Sequence, residues 1–285
     1  MCTALCGAWT RRWAWAKRSG EPRVPERIRR RTIERGKAVA NPIEQFKIQP
    51  LVPLKVGSVD ISFTNSSAMM VLSICLITLF LTLSVRSRAL VPGRWQSMAE
   101  VFYEFIAGML RDNVGQEGRK YFPFIFSLFM FVLFGNLLGM MPIPVIGFTY
   151  TSHVIVTFAM ALVVFVGVTV IGFARHGTHY LRMFFPHGAP IATAVILIPI
   201  ELISYFSRPF SLAVRLFANM TVGHIILKVM GGFVVSLGAF YLIPGAVPFA
   251  FLSAITVLEF GIALLQAYVF TILSCIYLHD AIHMH

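Results

Sequence analysis

The stretch "ELISYFSRPFSLAVRLFANMTVGHIILKVM", residues 201–230, carries Glu201, Arg208, Arg215, His224 and Lys228 in a run otherwise apolar enough to sit in lipid. An ionised side chain at bilayer depth costs at least roughly 2.5–3.5 kcal/mol on insertion scales, and residues kept against that cost usually mark ion paths. The chemistry open to them is proton handling: His and Glu exchange a proton, while a guanidinium stays charged. On a helix advancing about 100° per residue, Glu201 and Ser204 lie one turn apart, Arg208 lies two turns from Glu201, and Asn219 sits one turn after Arg215. His224 is half a turn out of phase with Arg215. The two therefore face opposite ways on a straight helix, which suits two separate polar compartments better than one continuous pore.

In the last apolar segment Glu259 and Gln266 share a helical face, with Ile262 and Ala263 between them. If that face meets the helix over 211–228, Glu259 pairs with His224 and Gln266 reaches towards Arg215. Blander readings compete. Arg208 and Lys228 fit flanks that snorkel to the interface, Glu201 fits a neutralising partner for Arg208, and His224 fits a hydrogen-bonded core histidine. Arg215 fits a structural role least, because apolar residues surround it for several turns and no carboxylate is near in sequence. His176, His179, His279, His283 and His285 imitate ligand spacings in wet loop and tail segments, and are read as accidental.

The elements that must position these groups are legible from composition. The chain has 285 residues, is 57% hydrophobic and 13% charged, and contains 26 Phe; soluble domains carry about 25% charged residues. It is an integral membrane protein. The net charge of +12 is concentrated at the N-terminus, where residues 1–40 hold eleven Lys/Arg against three Glu, so it does not indicate a nucleic-acid partner. That leader lacks the apolar core of a secretory signal. It is read as a basic arm on an anionic membrane surface, an organelle transit segment, or an upstream extension absent from the working protein. The body is expected to be one membrane domain over residues 41–285. Cys2, Cys6, Cys75 and Cys275 have no spacing that suggests a metal site or a disulfide framework.

A membrane span needs about 20 mostly apolar residues. Residues 67–85, 121–141 and 152–174 qualify, whereas the apolar runs 191–230 and 249–278 are too long for upright spans. Each of the long runs is therefore two spans or one strongly tilted, bent helix. Between the first two spans, residues 97–113 place Met98, Val101, Phe102, Phe105, Met109 and Leu110 at spacings of three and four, which predicts an amphipathic helix on the membrane surface. The segments 86–120 and 175–190 hold Lys and Arg while 142–151 and 231–248 hold none, so the basic segments should face the cytoplasm or its equivalent. The N-terminus is then outside, which conflicts with the basic leader and favours the reading of that leader as an extension. The fold class is all-α and polytopic, with about five membrane-embedded helices. No Gly-rich phosphate loop, GxSxG, HExxH or paired-Cys motif occurs, so no cofactor, metal or nucleotide chemistry is expected of this chain.

"SRPFSLAVRLFANMTVGHII" (207–226) with "LEFGIALLQAYVFTILSCIYL" (258–278), supported by "LFGNLLGMMP" (133–142) and the amphipathic helix before it, closely resembles subunit a of the F-type ATP synthase, the stator half of the membrane motor. The resemblance covers about residue 41 to the C-terminus. It implies that Arg215 faces a ring of c subunits and holds each passing carboxyl ionised, blocking direct leakage between two half-channels. His224 and Glu259 would line the half-channel open to the outer side, with Asn219 and Gln266 as polar neighbours. Glu201 and Ser204 would belong to the half-channel on the ATP-producing side. In some bacterial members the acid and the histidine exchange positions, and the arrangement here resembles the mitochondrial-type pattern. The family also implies a steeply inclined C-terminal hairpin, which resolves the length puzzle. Implied partners are the c-ring, the peripheral stalk b subunits, other ATP synthase subunits and membrane lipid. The implied role is non-catalytic proton translocation in a bacterial inner membrane, or alternatively a mitochondrial one. A secondary ion transporter, which would be expected to show inverted repeats, and a structural scaffold, which would tolerate loss of Arg215, are the rival readings.

Overall fold

The computed structural model describes residues 50–52, 55–56, 59–60, 62–86, 93–141, 149–184, 191–238 and 242–283. The leader over residues 1–40 lies outside them. Short strands β1 (Pro50–Val52), β2 (Lys55–Val56), β3 (Val59–Asp60) and β4 (Phe63–Thr64) form two antiparallel pairs, β1 with β4 and β2 with β3. Among the described residues the elements that follow are helices: α1 (Asn65–Arg86), α2 (Arg94–Val114), α3 (Phe122–Gly139), α4 (Val154–His176), α5 (Ile191–Gly238) and α6 (Leu242–Ile282). Short 3₁₀ turns occupy Gln116–Tyr121, Tyr150–Ser152 and Gly177–Phe184.

Local chemistry sets several of these boundaries. Pro123 sits in the first turn of α3, where its missing N–H costs nothing. Gly115 and Gly177, with φ of +80° and +56°, end α2 and α4 in a backbone region that side chains disfavour. Among the described residues five helical stretches, Asn65–Arg86, Gln116–Gly139, Val154–Tyr180, Ile196–Leu237 and Ala246–Ile282, are long and apolar enough to cross a membrane. The chain is thus an all-α, multi-pass membrane protein.

The two long runs are single helices. α5 has 48 residues and α6 has 41, and helices of this length run roughly 60–70 Å at 1.5 Å per residue. That is about twice the hydrocarbon thickness, so each can cross only inclined or bent. Pro199 and Pro209 inside α5, and Pro248 inside α6, each remove a helical hydrogen bond and allow the bend. α5 and α6 form the most extensive helix–helix contact among the described residues.

The packing follows a helical stripe on each partner. On α5 the buried positions include Tyr205, Leu212, Ala213, Leu216, Met220 and His224; on α6 they include Glu259, Ala263, Gln266, Ala267, Phe270 and Ser274. Ala263 and Ala267 present little side chain, which lets neighbouring backbones approach closely, as small residues do between membrane helices. From α3, Asn136 donates its Nδ2 hydrogen to the Ala263 carbonyl at 3.2 Å. Both other faces of the hairpin are extensively apolar and exposed, as lipid or another subunit requires.

α2 is helical where expected and packs against α1, α3 and α6, burying Ile106, Met109, Leu110 and Val114. Met98, Val101 and Phe105, on the apolar face expected to meet the membrane, are exposed, with Val101 at 61%. α2 thus has two apolar sides, one against the bundle and one outward.

Candidate functional site

The polar centre of the molecule forms where α5, α6 and the turn before α4 converge. His224 lies on the buried stripe of α5 and Glu259 on that of α6; His224 Nδ1 is 3.4 Å from Glu259 Oε1. Glu259 is 2% exposed and His224 8%. The other ring nitrogen, His224 Nε2, is 2.7 Å from Thr149 Oγ1, and Thr149 immediately precedes the Tyr150–Ser152 turn. The imidazole is therefore hydrogen-bonded at Nε2 and faces the Glu259 carboxylate at Nδ1, flanked by groups from two other parts of the chain.

The turn that supplies Thr149 is anchored on two sides. Tyr150 donates its hydroxyl hydrogen to the Phe131 carbonyl on α3 at 2.8 Å, and Thr221 on α5 donates to the Ser152 carbonyl at 3.3 Å. Burial raises the Tyr150 hydroxyl above its ordinary value and lowers the His153 imidazole below its own, so burial favours the neutral form of each. The hydroxyls of Thr151 and Ser152, Asn136 Oδ1 and both Glu259 carboxylate oxygens are buried without a hydrogen bond within the chain. Such a concentration of buried polar atoms is a place for bound water.

One level along the hairpin, Asn219 donates its Nδ2 hydrogen to Gln266 Oε1 at 2.8 Å. Gln266 is 1% exposed, while Asn219 lies at the surface. This corrects the expectation that Gln266 reaches Arg215: its partner is the residue one turn further on. Arg215 itself is exposed on α5 and makes no hydrogen bond or ion pair among the described residues. Arg215 and His224 therefore sit on different faces of α5, one outward and one inward.

The outer rim of the hairpin carries a second correction. Arg208 pairs with Asp280 on α6 at 3.0 Å, and not with Glu201. Its guanidinium also lies over the rings of Tyr205, at 5.6 Å, and Tyr277, at 5.2 Å. Glu201 is partly buried, and Ser204 is exposed one turn away, with its carbonyl accepting from Ser207 Oγ at 2.7 Å. The structure thus brings His224 and Glu259 together, joins Asn219 to Gln266, and leaves Arg215, Glu201 and Ser204 apart from that cluster. No group of three or more His, Cys, Asp and Glu side chains suited to a metal occurs among the described residues.

Three features were not found by sequence reasoning. Thr149 lies in a segment notable only for lacking charge, Asn136 in an apolar span, and Asp280 is 72 residues from its partner. Only the fold brings them to their contacts.

Fold and site together define a polytopic helical membrane protein with a buried histidine–carboxylate cluster between its two longest helices. A family model described as the ATP synthase A chain matches residues 67–279. ATP synthase subunit a of Rhodospirillum rubrum is 63% identical over 245 residues, covering 86% of this chain and 99% of that protein. The subunit a of Parvibaculum lavamentivorans is 54% identical over 246 residues, covering 85% and 94%, and that of Pelagibacter ubique 50% over 246 residues, covering 86% and 98%. The chain belongs to the ATP synthase A chain family.

Proposed function

We propose that this chain is the proton-translocating stator subunit of an F-type ATP synthase, giving protons access to a c-ring and coupling their flow to rotation for ATP synthesis. The observation that carries the reading is the division of ionisable groups on α5: His224 is buried against Glu259, while Arg215 is exposed on another face and has no ion-pair partner among the described residues. A cation left at an apolar surface is stable only if a partner from elsewhere meets it. A carboxyl group on each c subunit has the matching chemistry, since a nearby cation favours the ionised form of an acid.

The residues divide into roles on this reading. Protons enter from the outer side past the His224–Glu259 pair, and Asn219 with Gln266 supplies polar contacts towards the ring. Glu201 and Ser204 line the exit on the ATP-producing side. Arg215 stands between the two paths, so a proton passes only by riding the ring. The chain performs no bond chemistry of its own; the catalytic head belongs to other subunits. The c-ring, the peripheral stalk b subunits and the other ATP synthase subunits are its partners, and the bacterial inner membrane is its place. The species of the relatives favour that membrane over the mitochondrial one.

The test is ATP-driven proton pumping by membrane vesicles carrying Glu259→Gln in the assembled complex. Loss of pumping with assembly intact supports the reading; pumping at the parental rate contradicts the role given to the pair.

A further inference from the structure

We propose that Thr149 is a positioning residue of the proton path, holding the His224 imidazole at Nε2 while Glu259 faces it at Nδ1. The inference rests on the reading of the His224–Glu259 pair given above, and adds to it a residue from a different part of the chain. Three observations carry it.

The first is the contact itself. Thr149 Oγ1 and His224 Nε2 are 2.7 Å apart, and Thr149 is only 3% exposed. A neutral imidazole has one donor and one acceptor nitrogen, and the bond made at one fixes the role of the other. In the tautomer that carries its hydrogen on Nδ1, Nε2 is an acceptor and the Thr149 hydroxyl donates to it. When the ring takes a second proton, both nitrogens donate, and the same hydroxyl turns to accept. A hydroxyl serves both states because its hydrogen rotates. Thr149 neither gains nor loses a proton in either state; it keeps the ring oriented in both.

The second is the space given to the two partners. A Cβ at Gly139, at the end of α3, would overlap the Thr149 side chain, and a Cβ at Gly223, beside His224, would come within 2.6 Å of Glu259 Oε1. Each group that brackets the imidazole is seated against a glycine.

The third is the anchoring of the turn. The Tyr150 bond to the Phe131 carbonyl and the Thr221 bond to the Ser152 carbonyl hold the turn that directly follows Thr149, so Thr149 is presented to His224 from the start of an anchored turn. A threonine there only to fill volume would be served equally by valine, which has the same shape and no hydroxyl.

The experiment compares Thr149→Val, Thr149→Ser and Glu259→Gln in the assembled complex. It measures ATP-driven proton pumping and, after removal of the catalytic head, passive proton flow, each normalised to the amount of assembled complex. Loss of one hydrogen bond to the ring predicts that Thr149→Val lowers both readings about three- to tenfold, while Thr149→Ser stays within about twofold of the parent. Parental rates in Thr149→Val, or rates in Thr149→Ser as low as in Thr149→Val, overturn the proposal. If Thr149→Val impairs assembly, Thr149→Ala replaces it, and equal rates for the alanine and serine variants overturn the proposal. Parental rates in Glu259→Gln would instead overturn the broader reading of the pair. A defective Glu259→Gln beside a normal Thr149→Val removes only the role of Thr149.

Discussion

His224 Nδ1 and Glu259 Oε1 face each other at 3.4 Å across the contact between α5 and α6, both withdrawn from the surface. A histidine and a carboxylate so placed share their environment, and removing either leaves the other's polar atoms buried without that partner. The pair is therefore expected to behave as a unit. Glu259→Gln and His224→Ala should each lower ATP-driven pumping strongly, and the exchanged double variant, with Glu at 224 and His at 259, should pump better than the sum of the two defects allows. Additive losses, measured in vesicles with equal amounts of assembled complex, would show two independent sites.

Gly223 makes a separate prediction about space. Its Cα faces the Glu259 carboxylate so closely that a methyl group would approach Oε1 to 2.6 Å. Gly223→Ala must displace the carboxylate or part the helices, at an overpacking cost of roughly 1–3 kcal/mol. Pumping and the thermal midpoint of the complex should fall together. An alanine variant with parental values for both would mean that α6 yields there without strain.

The rim interaction of Arg208 predicts an unequal pair of losses. The ion pair with Asp280 is partly solvated and is worth at most about 1 kcal/mol. The stacking over Tyr205 and Tyr277 is lost only when the guanidinium goes. Arg208→Leu should therefore lower the thermal midpoint more than Asp280→Asn, and Arg208→Lys should not fully restore it, because an ammonium lacks the planar fork. Equal shifts for Arg208→Leu and Asp280→Asn would mean that the rings contribute nothing.

His153 carries a pH dependence. Burial lowers its imidazole below the ordinary value of 6.5, so the folded turn binds fewer protons than the unfolded one. The stabilisation is present above about pH 6.5 and is lost as pH falls through the lowered value. Amide protection factors over residues 149–153 should drop as pH falls below about 6.5, and His153→Gln should remove that drop. An identical drop in parent and variant would place the acid-sensitive group elsewhere.

Much of this architecture was legible because lipid imposes a simple rule: apolar runs of sufficient length become helices. The three shorter spans followed from it; the two long runs it left as two spans or one inclined helix each, and the family resemblance favoured the latter. The separation of Arg215 from His224 followed from helical phase, because nine residues leave a helix half a turn out of phase. Register between helices did not follow. The seven-residue spacing of Glu259 and Gln266 gave them one face, but whether Gln266 meets residue 215 or 219 depends on how far α6 is slid along α5, which no pattern within either helix encodes. α2 was legible as an amphipathic helix, but not which of its apolar residues meet protein: residues against lipid and residues against protein are both apolar, so spacing alone does not separate Val101 and Phe105 from Ile106, Met109, Leu110 and Val114. Thr149 left no trace at all, since its partner is 75 residues away.

The central claim is that Arg215, exposed and without an ion-pair partner among the described residues, is the cation that meets the ring. The direct test is Arg215→Ala in the assembled complex, with ATP-driven proton pumping measured in vesicles and passive proton leak measured after the catalytic head is removed. The account predicts that pumping vanishes while assembly survives. Pumping near the parental rate would contradict it.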